Sequence, residues 1–221
     1  MTARSRRTGI LGGTFDPIHA GHLEAAAVAR RALRLDELVL MPAMTPPHRQ
    51  SQPKASAFHR FAMVALAVSD RDDLIVSDDE LRSEGPSYTS DTLARLHATG
   101  LAPTEVFFVL GSDAFSDIAA WHDYPDFLDA AHFVVVTRPG TTLADIQRRV
   151  PELAPRIIDA AAFTGSVNGT PRIVVVSATT PDVSSTEIRR RVAAGKSLSG
   201  LTQAAVINHI DRHRLYRKNA S

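Results

Sequence analysis

Cysteine is absent from the 221 residues, which excludes disulfides and thiolate metal sites and is compatible with a reducing compartment. No run of the sequence approaches the about 18 apolar residues of a membrane span, and the apolar stretch after Arg7 is too short for a signal peptide. A net charge of only +1 excludes the overall basic field that nucleic-acid binders use. We therefore expect a cytoplasmic protein that binds neither membranes nor nucleic acids.

Short apolar runs alternate with segments of helical periodicity, and the length favours a single domain, 1–221, whose C-terminal helices begin at about residue 185. The predicted strands are Thr8–Gly12, Glu37–Met41, Leu74–Ser77, Glu105–Leu110, His132–Thr137 and Arg172–Ser177. The predicted helices are His22–Leu35, Phe58–Val68, Ser90–His97, Ser185–Ala194 and Gln203–His213. Uniformly apolar strands are typical of parallel sheets covered by helices, so we predict an α/β fold with a doubly wound, mostly parallel sheet. The pattern of Ala144–Thr170 is too weak to assign.

A glycine-rich segment, Gly13–His22, lies between the first predicted strand and the first predicted helix. In α/β sheets this is where ligands meet the carboxyl ends of strands, and the N–H groups of a helix N-terminus favour phosphate there. Its two imidazoles, His19 and His22, could stabilise negative charge in a transition state. The residues alone also fit a Gly/Pro turn with two surface histidines, or a pair of metal ligands.

The string from Gly13 to His22 matches in full the GxFxPxHxGH signature of the HxGH nucleotidyltransferases. This resemblance implies a Rossmann-like nucleotidyltransferase fold. It also implies that His19 and His22 are catalytic and contact the ATP phosphates and the leaving pyrophosphate. Gly13, Thr14 and Phe15 are then expected to contact ATP phosphate through the backbone.

A second segment, Val183–Arg189, is similar to the ISSTxIR segment of the same family. It predicts a helix N-terminus with hydroxyls and a guanidinium, which suit a triphosphate. The resemblance implies that Ser185 and Thr186 bind ATP and that Arg189 is catalytic. The alternative is a capping box made by Ser184 and Glu187, which requires no ligand.

Three further segments resemble those of the nicotinate mononucleotide adenylyltransferases of this superfamily. They are Thr45–Arg49 (TPPHR), Pro86–Leu93 (PSYTSDTL) and Gly111–Phe115 (GSDAF) followed by Trp121. The resemblance runs in order from Gly9 to about Arg191. It implies transfer of AMP from ATP to nicotinate mononucleotide, which produces the dinucleotide precursor of NAD and pyrophosphate.

The acceptor-side residues implied by this resemblance are Arg49, Thr89, Trp121 and Arg138, and Gly111 and Asp113 are expected to bind ATP. The indole of Trp121 could stack on a pyridine ring, and the guanidinium of Arg49 could bind the mononucleotide phosphate. Asp113 could accept a hydrogen bond from a ribose hydroxyl. Each has a structural alternative: a core tryptophan, a loop arginine, helix capping by Thr89, an N-cap at Asp113 and a turn residue at Arg138.

The chemistry implied here requires little from a general base, because a phosphate monoester is already mostly dianionic near neutral pH. It requires alignment of two anions and neutralisation of the leaving pyrophosphate. We expect Mg²⁺ bound mainly through the ATP phosphates, so we name no protein ligand for it. A nucleotidyltransferase for phosphopantetheine or glycerol phosphate, and a non-catalytic nucleotide sensor, are the competing hypotheses. The sequence leaves the oligomeric state open, including a homo-oligomer.

Overall fold

The computed structural model describes residues 6–47, 52–164 and 169–217. Within these residues seven strands form one sheet in the order β3-β2-β1-β4-β5-β7-β6. The strands are β1 Thr8–Gly13, β2 Glu37–Pro42, β3 Leu74–Val76, β4 Val106–Gly111, β5 His132–Val136, β6 Ile157–Asp159 and β7 Ile173–Val176. The α-helices are α1 Ala20–Leu33, α2 Ala57–Ala67, α3 Thr89–Ala98, α4 Ser112–Ser116, α5 Leu143–Arg149, α6 Ser185–Ala193 and α7 Ala204–Arg212. Short 3₁₀ helices span Asp79–Arg82, Pro103–Glu105, Ile118–Ala120, Asp126–Asp129, Pro151–Arg156 and Ala160–Ala162.

The central strands pair in parallel. β1 pairs with β4, β4 with β5, and β7 with both β5 and β6. All five residues of β5 and all four of β7 are buried, as a sheet covered on both faces requires. The doubly wound, parallel α/β fold predicted from the uniformly apolar runs is confirmed.

The segment that the pattern left unassigned, Ala144–Thr170, contains most of α5 and the edge strand β6. Two features account for this: β6 is a three-residue strand that ends in a charged residue, Asp159, and α5 has only seven residues, too few for a helical periodicity. Helix α3 also differs from expectation, because it begins at Thr89 and its N-cap residue is Tyr88, with no side-chain cap. Helix capping by Thr89, the structural alternative for this residue, is therefore wrong.

Two compact units make up the chain. The first comprises Met1–Gly12, Ala25–Val39 and Tyr88–Thr180, and the second Gly13–Glu24, Leu40–Ser87 and Pro181–Ser221. The single domain of the sequence analysis stays a prediction. Among the described residues, no helix is long and apolar enough to cross a bilayer.

The first unit buries an uncharged histidine. His132 on β5 is 4% exposed, and its Nδ1 accepts a hydrogen bond of 2.9 Å from the Arg172 amide. Burial lowers the pKa of this imidazole to about 4, against the smaller opposing effect of the hydrogen bond. The ring is therefore neutral at physiological pH and serves as an acceptor within the core.

Candidate active site

The two motif histidines are stacked at the start of α1, in the second unit. Helix α1 begins at Ala20, so His19 immediately precedes it and His22 lies in its first turn. Their ring centroids are 3.7 Å apart with an interplanar angle of 23°. The His19 amide donates a hydrogen bond of 3.3 Å to His22 Nδ1. In the neutral ring this leaves the imidazole proton on Nε2, so His22 has the tautomer of an Nε2–H donor.

The turn before the histidines is held by close packing around Phe15. Phe15 has a φ of 49°, which non-glycine residues seldom adopt, and its ring is 2% exposed. It meets the His22 ring edge to face, with centroids 5.0 Å apart. A Cβ atom on Gly21 would come within 3.1 Å of His19 Nδ1, so a glycine at this position permits the packing of the histidine. The backbone is thereby held in one conformation beside the imidazoles.

A buried arginine supports the same turn. Arg60 on α2 is 1% exposed, and its Nη1 donates to the Thr14 carbonyl at 2.7 Å. Its Nη2 donates to the Met44 carbonyl at 3.1 Å. The Thr14 carbonyl of the turn therefore points toward Arg60. Arg60 was not predicted from the sequence, because a single guanidinium within the apolar run of α2 has no spacing that connects it to the first motif.

The second motif forms the N-terminus of α6. Ser184 is its N-cap, and the Ser184 Oγ accepts from the Glu187 amide at 3.1 Å. The Glu187 carboxylate does not complete a capping box; it accepts from Arg190 and Arg191, which lower its pKa to about 2. Only one of the two hydrogen bonds of the capping box predicted as an alternative is therefore present. The other amides of the first turn have no carbonyl acceptor within the helix, so they can donate to another acceptor.

Arg189 and Ser185 join this helix end to the histidine loop. Arg189 Nη1 donates to the Asp16 carbonyl at 2.7 Å, and its Nη2 donates to Thr186 Oγ1 at 3.1 Å. The Ser185 hydroxyl donates to the Pro17 carbonyl at 2.8 Å. The structure therefore brings Ser185 and Arg189 against the loop that leads to His19 and His22, and these contacts join two motifs about 170 residues apart in the sequence.

Asp16 is the main residue of this region that the sequence analysis missed. Its side chain is 2% exposed and accepts from the amides of Lys54 and Ala55 at 2.8 and 3.0 Å and from the Tyr216 hydroxyl at 2.8 Å. A carboxylate can be buried at tolerable cost only when it is hydrogen-bonded in this way. Its place inside the first motif was the available signal. Arg49, expected on the neighbouring loop, lies outside the described residues.

The candidates in the first unit are more exposed. Asp113 and Arg138 form an ion pair of 3.0 Å, with side chains 67% and 64% exposed. The N-cap of α4 is Gly111, so the capping alternative for Asp113 is wrong. Thr89 is the first residue of α3. Gly111 and Asp113, at the start of α4, and Arg138, after β5, therefore lie at the carboxyl ends of neighbouring strands, where a ligand can contact them.

Trp121 is half-buried and packs against other aromatic side chains of the first unit. Its ring lies nearly parallel to that of Phe127, with centroids 6.0 Å apart, and meets Phe108 edge to face at 6.4 Å. Both of those phenylalanines are buried. The indole therefore combines the structural role of the alternative interpretation with an accessible part that a ligand can contact.

Comparisons with known proteins agree on one family. The model of the cytidylyltransferase-like family matches residues 10–191. A protein of Pseudomonas fluorescens named "probable nicotinate-nucleotide adenylyltransferase" is 41% identical over 96% of this chain and 98% of its own length. A protein of the same name from Desulfatibacillum aliphaticivorans is 40% identical over 95% of this chain and 99% of its own. The structure of the Plasmodium falciparum nicotinic acid mononucleotide adenylyltransferase complexed with NaAD superposes with a TM-score of 0.72. It covers 96% of this chain and 97% of that one at 16% identity, so it supports the fold alone.

Proposed function

This chain belongs to the cytidylyltransferase-like family, and we propose that it transfers AMP from ATP to nicotinate mononucleotide. The products are nicotinate adenine dinucleotide, the precursor of NAD, and pyrophosphate. The observation that carries the reaction type is the contact between Arg189 of one motif and the loop that leads to His19 and His22. The acceptor is supported by the full-length relatives and by the PSYTSDTL and GSDAF segments.

The reaction is an in-line displacement at the α-phosphorus of ATP. An oxygen of the mononucleotide phosphate forms the new P–O bond, and the bond between the α-phosphorus and the bridging oxygen to the β-phosphate breaks. The attacking phosphate, whose second pKa is about 6, needs no base at neutral pH. The negative charge that leaves with pyrophosphate is what the protein has to stabilise.

The second unit supplies donors for that charge. His22 has the tautomer whose Nε2–H donates, and His19 stacks on it. The N-termini of α1 and α6 add backbone amides and the positive ends of helix dipoles. The Gly13, Thr14 and Phe15 amides, the Ser185 and Thr186 amides and the Arg189 guanidinium complete the proposed set on the ATP side.

The first unit supplies the proposed contacts to the acceptor and to the ribose of ATP. The accessible part of the Trp121 indole stacks on the pyridine ring in an offset geometry. Thr89, at the N-terminus of α3, holds the nicotinate carboxylate, and Arg138 contacts the mononucleotide. Asp113, next to Gly111, accepts from a ribose hydroxyl of ATP. Arg49 is proposed to bind the mononucleotide phosphate.

Mg²⁺ is proposed to be held by the ATP phosphates and water, the arrangement that suits this reluctantly dehydrated ion. The residues of the second unit fit that arrangement, because its proposed ATP contacts are hydrogen-bond donors and not metal ligands. The oxygens of Asp16, the carboxylate within the first motif, accept from the Lys54 and Ala55 amides and the Tyr216 hydroxyl. When bound, the ion supplies further neutralisation of the phosphates. A cytoplasmic location and a homo-oligomer also stay predictions.

An acceptor panel tests the proposal. The protein is incubated with ATP and Mg²⁺ and one of nicotinate mononucleotide, nicotinamide mononucleotide, phosphopantetheine or glycerol phosphate, and pyrophosphate release is measured. We expect the fastest release with nicotinate mononucleotide. Release with phosphopantetheine or glycerol phosphate, and with neither pyridine mononucleotide, would contradict the proposed acceptor. No release with any acceptor, despite measurable ATP binding, would favour the nucleotide sensor.

A further inference from the structure

The chain ends its last helix with a sharp reversal that turns Tyr216 back toward the first motif. After α7, the Leu215 amide donates to the Ile210 carbonyl at 3.0 Å, and Arg214 and Tyr216 have φ values of 52° and 62°. Left-handed backbone at two non-glycine residues is costly, and it persists where surrounding contacts hold it in place. The Tyr216 hydroxyl donates to Asp16 Oδ1 at 2.8 Å. This contact therefore accompanies the unusual backbone at the end of α7.

Asp16 is the point where three segments of the second unit meet. Tyr216 supplies a hydroxyl from the C-terminal segment, and Lys54 and Ala55 supply amides from the segment that precedes α2. Burial first, then the adjacent Asp16 carboxylate, raise the pKa of the Tyr216 hydroxyl. The hydroxyl is therefore protonated, and a donor, at every pH at which the protein is assayed. With three donors, the carboxylate has one defined orientation.

The position of Asp16 affects the catalytic arginine, because Arg189 contacts both the backbone and the side chain of Asp16. Arg189 Nη1 donates to the Asp16 carbonyl at 2.7 Å and lies 3.7 Å from Asp16 Oδ2. A rotation of the Asp16 side chain would move Oδ2 relative to Arg189, and a shift of the Asp16 backbone would move the carbonyl that accepts from Nη1. Arg189, whose side chain is only 20% exposed, would lose its alignment with it. Small misplacements of such groups have large effects on rate.

We propose that Tyr216 is a positioning residue for adenylyl transfer, which holds Asp16 so that the Asp16 carbonyl keeps the Arg189 guanidinium in place. This inference rests on the proposed function, because it assigns Arg189 to the reacting phosphates. Tyr216 touches neither substrate in this account. Its effect is therefore on the rate of the chemical step and passes through Arg189.

The test compares Tyr216→Phe, which removes only the hydroxyl, with Tyr124→Phe. Tyr124 is a matched control because its hydroxyl also donates to a carboxylate, that of Glu152, at 3.1 Å, but in the first unit. We expect Tyr216→Phe to lower kcat about tenfold, the scale of a lost hydrogen bond to a charged group. KM for ATP should change less than about twofold, since the bound ground state keeps its other contacts. Tyr124→Phe should match the wild type.

A double-mutant cycle with Arg189→Lys separates positioning from a general loss of stability. If Tyr216 acts through Arg189, the double variant should have a kcat less than about threefold below that of Arg189→Lys alone. The same tenfold loss in both backgrounds, or an unchanged kcat with a lower melting temperature in Tyr216→Phe, would overturn the inference. Rates are measured with whichever acceptor the wild type uses. A wild type that is active only with another acceptor contradicts the proposed function alone, and an inactive wild type contradicts both.

Discussion

The two units differ in how the residues of the candidate site are held. In the second unit, the two residues that support the motif turn, Asp16 and Arg60, are at most 2% exposed, and each makes at least two hydrogen bonds to backbone groups. In the first unit, the Asp113 and Arg138 side chains are about two-thirds exposed and bond to each other. One set is fixed before any ligand arrives, and the other can exchange its internal partner for a ligand.

This contrast assigns different kinetic roles to the two sets. Donors that are already oriented stabilise charge as it develops without a cost of reorganisation, so they contribute to kcat. Exposed groups that exchange partners contribute to the affinity and choice of substrate. Substitutions in the second unit should therefore change turnover, and substitutions in the first unit should change KM.

The largest effect is expected for His22→Ala. Loss of one preorganised donor to developing negative charge typically lowers kcat by about 10²–10³. The dissociation constant for ATP should change much less, because the histidine acts mainly in the transition state. His22→Gln, which retains an N–H donor, should recover part of the rate. A variant with wild-type turnover and a lower melting temperature would show instead that His22 is structural.

Trp121→Ala should have a smaller effect than His22→Ala, and the effect should be on binding of the acceptor. Loss of stacking on a base costs about 1–3 kcal/mol, so KM for nicotinate mononucleotide should rise on the order of tenfold or more. KM for ATP should stay near the wild-type value. Trp121→Phe keeps a ring and should lose less. Equal increases in both KM values, or loss of folding, would make Trp121 a core residue packed on Phe127 and nothing more.

The smallest effect is expected for the exposed ion pair. Asp113→Asn should change the free energy of unfolding by less than about 1 kcal/mol, because exposed ion pairs contribute little. KM for ATP should rise only about fivefold, because the amide oxygen introduced by the substitution still accepts a hydrogen bond but lacks the charge of the carboxylate. Asp78→Asn breaks a comparably exposed pair with Arg82 outside the candidate site and serves as the control. If the two variants have the same KM for ATP, the ribose contact of Asp113 does not exist.

Most of the sheet could be predicted from the sequence, because β4, β5 and β7 are continuous apolar runs that can only be buried. The edge strand β6 (IID) could not: it is as short as β3 (LIV), but it ends in a charged residue where β3 is wholly apolar and β-rich. The histidine and arginine motifs were predictable from their spacing. The contact between them does not follow from the strand order, because β4 and β5 lie between β1, which precedes α1, and β7, which precedes α6.

The residues that hold the motifs in place were harder to predict. Tyr216 is 200 positions from Asp16, and Arg60 is 46 positions from Thr14. No local pattern connects residues at such distances, and a single tyrosine or arginine has no spacing to interpret. Their roles depend on buried hydrogen bonds, which only the folded arrangement defines.

The most direct test of the central claim follows the phosphate groups of ATP. ATP labelled with ³²P at the α-phosphate is incubated with the protein, Mg²⁺ and nicotinate mononucleotide, and a parallel sample carries the label at the γ-phosphate. We predict that the α-label appears in the dinucleotide and the γ-label in pyrophosphate, at rates that His22→Ala lowers equally. Appearance of the α-label in ADP, with the γ-label on the acceptor, would mean phosphoryl transfer and would contradict the account.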